Sequence, residues 1–328
     1  MNAYSLTAAK QQGMAIISAL LIAAVVAVIA GGMLTRETVF TRGLEAEQLR
    51  VQGSWQLRGG LELSRQLLWE ARQRDPLTHL AQAWAQPFVA SSSGERGSQF
   101  DGRLEDEQGK FNLRNLVQDE RVDAEQMQGF ARLCELLGVK AAVGQRIAQR
   151  VIASYPRVSD PDRVPATTVR GSFDSGRLTS PGAALKPLPA TRPMLRSLQD
   201  LRSVEGVDEQ TLALLAPHVT ILPANTWVNG NTATAEVLAS QVPGLSPQRA
   251  RGLINERDAG QWFINRGDFV NRLRMPQLIV TDIKVGITSD WFLLTGQSRG
   301  ERRRVSLAAL LHRSQEQMPQ VIWSRVGV

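Results

Sequence analysis

The chain has 328 residues, a hydrophobic content of 43%, a net charge of +7 and a single cysteine. That composition excludes a disordered chain, and one cysteine, Cys134, excludes an intramolecular disulfide. The positive charge says little about a partner, because much of it sits in local clusters such as Arg299–Arg304, which a solvated hairpin loop explains.

No charged residue occurs between Lys10 and Arg36, so the 21 residues Met14–Leu34 form an unbroken apolar run. As a helix this run is about 31 Å long, enough to cross a bilayer core. A short polar leader, Lys10-Gln11-Gln12-Gly13, ends directly against it. In an ordinary secretory signal the cleavage site follows the apolar region, and Val28-Ile29-Ala30 would suit such a peptidase. A plain uncleaved signal anchor is a second reading. The order found here, glycine before the apolar run, is that of a prepilin-type leader, in which cleavage after Gly13 keeps the whole anchor.

Beyond the bilayer, Phe40, Leu44, Val51, Trp55, Leu61 and Leu68 recur at helical spacings, with Arg36, Glu37, Arg42, Glu45, Glu47 and Arg50 opposite. The spacing predicts one helix of about 55 residues that fades near Asp75-Pro76. Gly53, Gly59 and Gly60 either bend it or admit a close neighbour. Residues 91–99 read as a flexible connection, and Phe100–Leu116 as a hairpin whose return strand is Lys110–Leu113. Helical periods follow over Asp123–Leu137 and Ala142–Ser154, then a Pro/Gly/Ser-rich loop over Pro156–Pro193. Two helical units come next, about 197–222 and 232–273. Strand patterns return in Trp291–Thr295, Arg303–Leu311 and Gln320–Val326. Strands that flank a helical middle predict an α+β head with a helical insertion.

Candidate chemistry is sparse. His79, His218 and His312 are far apart, and no nucleophile elbow, Walker loop or zinc-protease motif is present, so an enzyme is not expected. Val242-Pro243-Gly244-Leu245-Ser246, ahead of Ala250, Leu253 and Ile254, resembles a helix-hairpin-helix turn, and Leu201–Val207 is a looser copy. Such turns can present backbone amides to DNA phosphates, so a membrane-anchored DNA-binding protein is the rival function. Glu205, Asp208 and Glu209 crowd the first turn, however, and would repel phosphate. Asp160-Pro161-Asp162, with Asp174 beyond, and Glu105-Asp106-Glu107 are candidate calcium ligands, the latter more simply read as a solvated turn.

Taken in order, these segments resemble the type II secretion minor pseudopilin K family. The matching stretches are Gly13-Met14 with its apolar helix, Leu80–Pro87, Asp106–Leu116, Ser197–Pro223, Asn229–Gly244 and the closing strands. The resemblance implies a pilin-like α+β fold, with a long N-terminal helix, a small antiparallel sheet and a large all-α domain inserted between strands. In this sequence that gives a leader (1–13), a transmembrane helix (14–34), a stalk with first strands (35–122), the insertion (123–280) and the closing strands (281–328). It implies cleavage between Gly13 and Met14 and N-methylation of Met14 by the prepilin peptidase. It also implies a single-pass protein in the lipid of the bacterial inner membrane, its head in the periplasm. There it would assemble with minor pseudopilins I and J, and H, at the tip of a pseudopilus, initiating assembly and supporting export of secreted protein substrates, with no nucleic acid involved. Most pilin-like subunits carry glutamate at the fifth mature position. Here that position is Ser18, which suits a filament end, because an unpaired acid in the bilayer would cost about 2.5–3.5 kcal/mol. The calcium-binding pattern of the family is only partly present: Asp160 and Asp162 match one part, and the Gly-Ala-Glu-Asp run is absent.

Overall fold

The computed structural model describes residues 6–91, 99–158, 188–299 and 304–327. One helix, α1 (Leu6–Arg74), dominates it at 69 residues, or about 100 Å. Arg72 and Arg74 in the last turn complement its dipole. Pro76 then stops it by pushing Asp75 out of helical geometry. The window Ile16–Met33 has a mean hydropathy of 2.6 and none of it is buried.

The outer part of α1 lies on a five-stranded sheet of β1 (Phe88–Ser91), β2 (Gln99–Asp106), β9 (Trp291–Arg299), β10 (Arg304–His312) and β11 (Gln320–Gly327). They stand in the order β1-β2-β9-β10-β11 with every pairing antiparallel. Leu57, Leu68 and Ala71 of α1 close a core with Phe100, Leu104, Phe292, Leu294, Leu307, Ala309 and Leu311. Gly60 admits the Phe100 ring: a Cβ there would fall 2.2 Å from Phe100 Cδ1, and one on Gly296 across the ring 2.1 Å from its Cζ.

The predicted single apolar face of α1 is divided in two. Leu61 and Leu68 pack towards the sheet, while Phe40 and Trp55 are 74% and 64% exposed. At 100° per residue, steps of three and four precess, so Trp55 and Leu68 end about 140° apart.

β2 and β9 are neighbours along their whole length, from Gln99↔Arg299 to Asp106↔Phe292. Everything between them, 107–290, is therefore an excursion from the sheet, wider than the 123–280 that the resemblance implies. The predicted hairpin return at Lys110–Leu113 does not form. After Asp106 a 3-10 turn (Glu107–Gly109) carries the chain away, and β3 (Phe111–Asn112) pairs in parallel with β6 (Val219–Thr220). Alternation marked a strand correctly but did not specify its partner. Two further short pairs are antiparallel β4 (Val117–Gln118) with β5 (Arg121–Val122) and parallel β7 (Val228–Asn229) with β8 (Val285–Gly286).

The excursion holds α2 (Ala124–Leu136), α3 (Ala141–Ile152), α4 (Glu209–Leu215), α5 (Ala235–Gln241), α6 (Pro247–Asp258) and α7 (Arg266–Leu273). Each start of α2, α4, α5, α6 and α7 is capped by the side chain ahead of it, respectively Asp123, Asp208, Thr234, Ser246 and Asn265. Their apolar faces make a second core around Phe111, Phe130, Leu133, Ile147, Leu238, Phe263 and Phe269. Both predicted glycine turns are present, with Gly206 at φ 84° and Gly244 at φ 79°, values glycine adopts without strain.

Candidate functional site: the anchor and the joint of the insertion

Two regions can carry function. The first is the anchor. Gly13 and Met14 lie within α1, and Ser18 lies on the exposed surface of its membrane-length apolar window.

The second is the joint where the excursion leaves the sheet, at the end of the head beyond the last turn of α1. Asp106, the last residue of β2, is buried. Its Oδ2 accepts from the hydroxyls of Ser289 and Thr232 (2.6 Å each) and from Asn229 Nδ2 (3.0 Å), and its Oδ1 accepts from Gln108 N (2.8 Å). Asn229 Nδ2 also donates to Thr78 O (3.0 Å). Arg313, fully buried just beyond β10, donates through Nη2 to Thr78 Oγ1 and Ser289 O, at 2.7 Å each. One network therefore ties the segment after α1, both strand ends and the excursion together.

Burial pushes the Asp106 carboxyl above its ordinary range, against the pull of these hydrogen bonds. Burial, with Arg72 beside it, pulls Arg313 down to about 10, still charged at neutral pH. Next to the joint, Lys110 Nζ reaches Glu107 Oε1 (2.7 Å) and Glu105 Oε2 (3.2 Å). Burial lowers the lysine, but the two glutamates outweigh it and hold it raised. The Glu105-Asp106-Glu107 triplet is thus largely an internal charge centre and not the solvated turn expected of it.

The asparagines of the sequence motifs act as backbone substitutes. Asn112 donates to Ala224 O (2.8 Å) and accepts from Leu222 N (3.1 Å). Asn115 exchanges two bonds with Thr226, and Asn231 two with Phe263. Buried loops need such partners for their peptide groups, and an amide side chain offers both a donor and an acceptor. The motif around residues 228–233 is therefore a structural fastening. Sequence reasoning marked the motif but missed Ser289 and Arg313, whose role depends on long-range placement.

The hairpin turns offer little to DNA. Arg249 donates to the carbonyls of Leu273 and Arg274, Arg251 pairs with Glu236, and Arg146 lies beside Glu205. These three arginines thus have partners within the chain. His218 Nδ1 lies 2.9 Å from Thr234 Oγ1, and burial lowers its pKa, in keeping with an internal role. Cys134 is buried, and its thiol is pushed up to about 11. Asp160 and Asp162, with Asp174, lie outside the described residues.

Family models described as type II secretion system, protein K match residues 109–224 and 228–288. Their outer limits nearly coincide with the points where β2 ends and β9 begins. A type II secretion system protein K of Klebsiella pneumoniae is 32% identical over 274 residues, covering 77% of each chain. The chain belongs to the type II secretion system protein K family. Its relative of that name from Pseudomonas aeruginosa is 29% identical over 310 residues, covering 92% of this chain and 88% of the relative. A similar fold occurs in the crystal structure of the GspK–GspI–GspJ complex from enterotoxigenic Escherichia coli, with a TM-score of 0.63 at 20% identity, covering 87% of this chain and 99% of the other. Family and exposed apolar helix together make this a membrane-anchored component of a type II secretion system.

Proposed function

We propose that this protein is the minor pseudopilin that caps the pseudopilus of a type II secretion system and initiates its assembly. The observation that carries this reading is the position of the insertion. It leaves the sheet at Asp106, beside Thr78 and beyond the end of α1, whereas the opposite end of the sheet meets α1 at Gln56, which bonds Ser298. With α1 rooted in the membrane, the insertion crowns the head at its membrane-distal end. A subunit stacked above would meet that bulk, while subunits alongside would meet α1 and the sheet. Ser18 supports the same end position, since no acid in the span requires a neighbour's amine.

On this reading the prepilin peptidase cuts between Gly13 and Met14 and methylates Met14, the head lies in the periplasm, and the partners are minor pseudopilins I and J, as in the neighbouring complex. The work is assembly and not catalysis, and calcium at Asp160 and Asp162 is not required for it. The test is mass spectrometry of the mature chain, with recovery of I and J on the full-length protein. A methylated Met14 terminus and co-purification are expected. A terminus at Gly31, or a chain that recovers neither partner, would overturn the assignment.

A further inference from the structure

Asn229-Gly230 is the one Asn-Gly pair in the chain. Such a pair is chemically labile in a free chain. The Gly230 nitrogen can attack Asn229 Cγ, because glycine has no side chain to hinder the approach and permits the backbone geometry it needs. A bond forms between Gly230 N and Cγ, the Cγ–Nδ2 bond breaks, and the Gly230 proton leaves with the amide as ammonia. Water then opens the resulting succinimide at either carbonyl, leaving aspartate or isoaspartate at position 229. Water is the only co-reactant.

The joint blocks each part of this step. Gly230 N–H donates to Gly286 O at 2.9 Å, which holds the nucleophile beside β8. Asn229 is fully buried, and its amide is fixed at both ends. Nδ2 lies 3.0 Å from Thr78 O, 3.0 Å from Asp106 Oδ2 and 2.8 Å from Ser289 Oγ, while Oδ1 accepts from Asn231 N at 3.0 Å. For the attack, the glycine nitrogen must leave its carbonyl and the side chain must leave these partners. The reaction therefore waits for the joint to open.

The product does not fit the closed joint. The amide supplies hydrogens to Thr78 O and Asp106 Oδ2, and a carboxylate supplies none. An aspartate at 229 would set acid against acid where Nδ2 and Asp106 Oδ2 now meet at 3.0 Å. Like charges in one buried site disfavour ionisation of both. Isoaspartate adds a carbon to the main chain within β7 and would break its pairing with β8.

We infer that Asn229-Gly230 is a self-modification site that closure of the joint switches off. A chain whose insertion is seated keeps its asparagine. A chain left unseated deamidates and can no longer close the joint, so the pair acts as a one-way check on chains that fold late. The inference needs only the joint and stands apart from the pseudopilin reading.

The test follows the full-length chain in detergent at mildly alkaline pH, folded and in urea, with peptide mass spectrometry resolving each asparagine. In urea, Asn229 is expected to convert ahead of every other asparagine. In the folded chain its conversion is expected to be at least about a hundredfold slower. Ser289→Ala removes a partner of both Asn229 and Asp106, and is expected to speed conversion in the folded chain about tenfold. When urea is diluted out of a half-converted sample, the refolded fraction is expected to be depleted of chains altered at 229. Equal rates in folded and denatured chains, or no preference for Asn229 in urea, would refute the site. Equal refolding of altered and intact chains would refute the lockout. Where neither form refolds, Asn229→Asp produced directly in membranes decides the point: loss of folded chain is expected, and an unchanged yield and melting temperature would overturn the inference.

Discussion

Replacing Gly60 with alanine isolates the contact that seats the stalk on its sheet. The new Cβ would sit 2.2 Å from Phe100 Cδ1, at least about 1.3 Å inside the carbon–carbon optimum. The ring cannot retreat, because the Gly296 backbone closes its other side, where a Cβ would lie 2.1 Å from Phe100 Cζ. Overpacking of this kind costs about 1–3 kcal/mol, and alanine returns about 1 kcal/mol in helix propensity. The net expectation is a loss of up to about 2 kcal/mol. Gly59 is the control, since a Cβ there meets nothing within 4 Å and Gly59→Ala should gain about 1 kcal/mol. Adjacent residues in one helix should thus move stability in opposite directions, separated by about 1–3 kcal/mol. Urea denaturation of the full chain in detergent, followed by tryptophan fluorescence, would measure both. Equal stabilisation by the two alanines would refute the proposed packing.

Asp106 holds its carboxyl above the ordinary value because it is buried, so the folded state binds its proton more tightly than the unfolded state. Stability should therefore fall as pH rises from the ordinary carboxylate value of 3.8 through the raised folded one. Asp106→Asn should remove that slope and, by disturbing a four-donor site, cost about 1–3 kcal/mol at low pH; parallel pH profiles of the two proteins would contradict it. Cys134, buried with its thiol pushed up to about 11, should react with a thiol reagent at least about a hundredfold faster after denaturation than before. Fast labelling of the folded chain would show that the insertion core is open. Ser18→Glu places an acid in the apolar window at a cost of about 2.5–3.5 kcal/mol unless a neighbour pairs with it. The yield of membrane-extracted chain, with and without co-produced partners, should show a loss that partners do not restore; full restoration would argue against an end position.

The parts of the fold governed by local chemistry were legible in the sequence. The uncharged run ahead of Arg36 and the turns at Gly206 and Gly244 each have a short-range cause. Partners set by distant chain were not legible. Lys110–Leu113 alternates like a returning strand, but pairing with Val219–Thr220 depends on a segment more than a hundred residues away. Asp106 and Glu107 look like turn residues until Ser289, Thr220 and Arg313 are brought around them. The candidate site divides in the same way. The anchor is continuous in sequence, whereas the joint exists only after β2, β9 and β10 have come together.

The adjacency of β2 and β9 bears on how such a head could have acquired its crown. Asp106 and Phe292 are cross-strand neighbours, so the excursion begins and ends at points about 5 Å apart. A tight turn could bridge that gap and leave the strand order β1-β2-β9-β10-β11 intact. The helical module is thus grafted at a hairpin tip, where material can be gained, enlarged or exchanged without rewiring the sheet beneath. The fastening by Asp106, Asn229, Ser289 and Arg313 ties the graft to the sheet at its root, so that the added module is held by both strands it springs from.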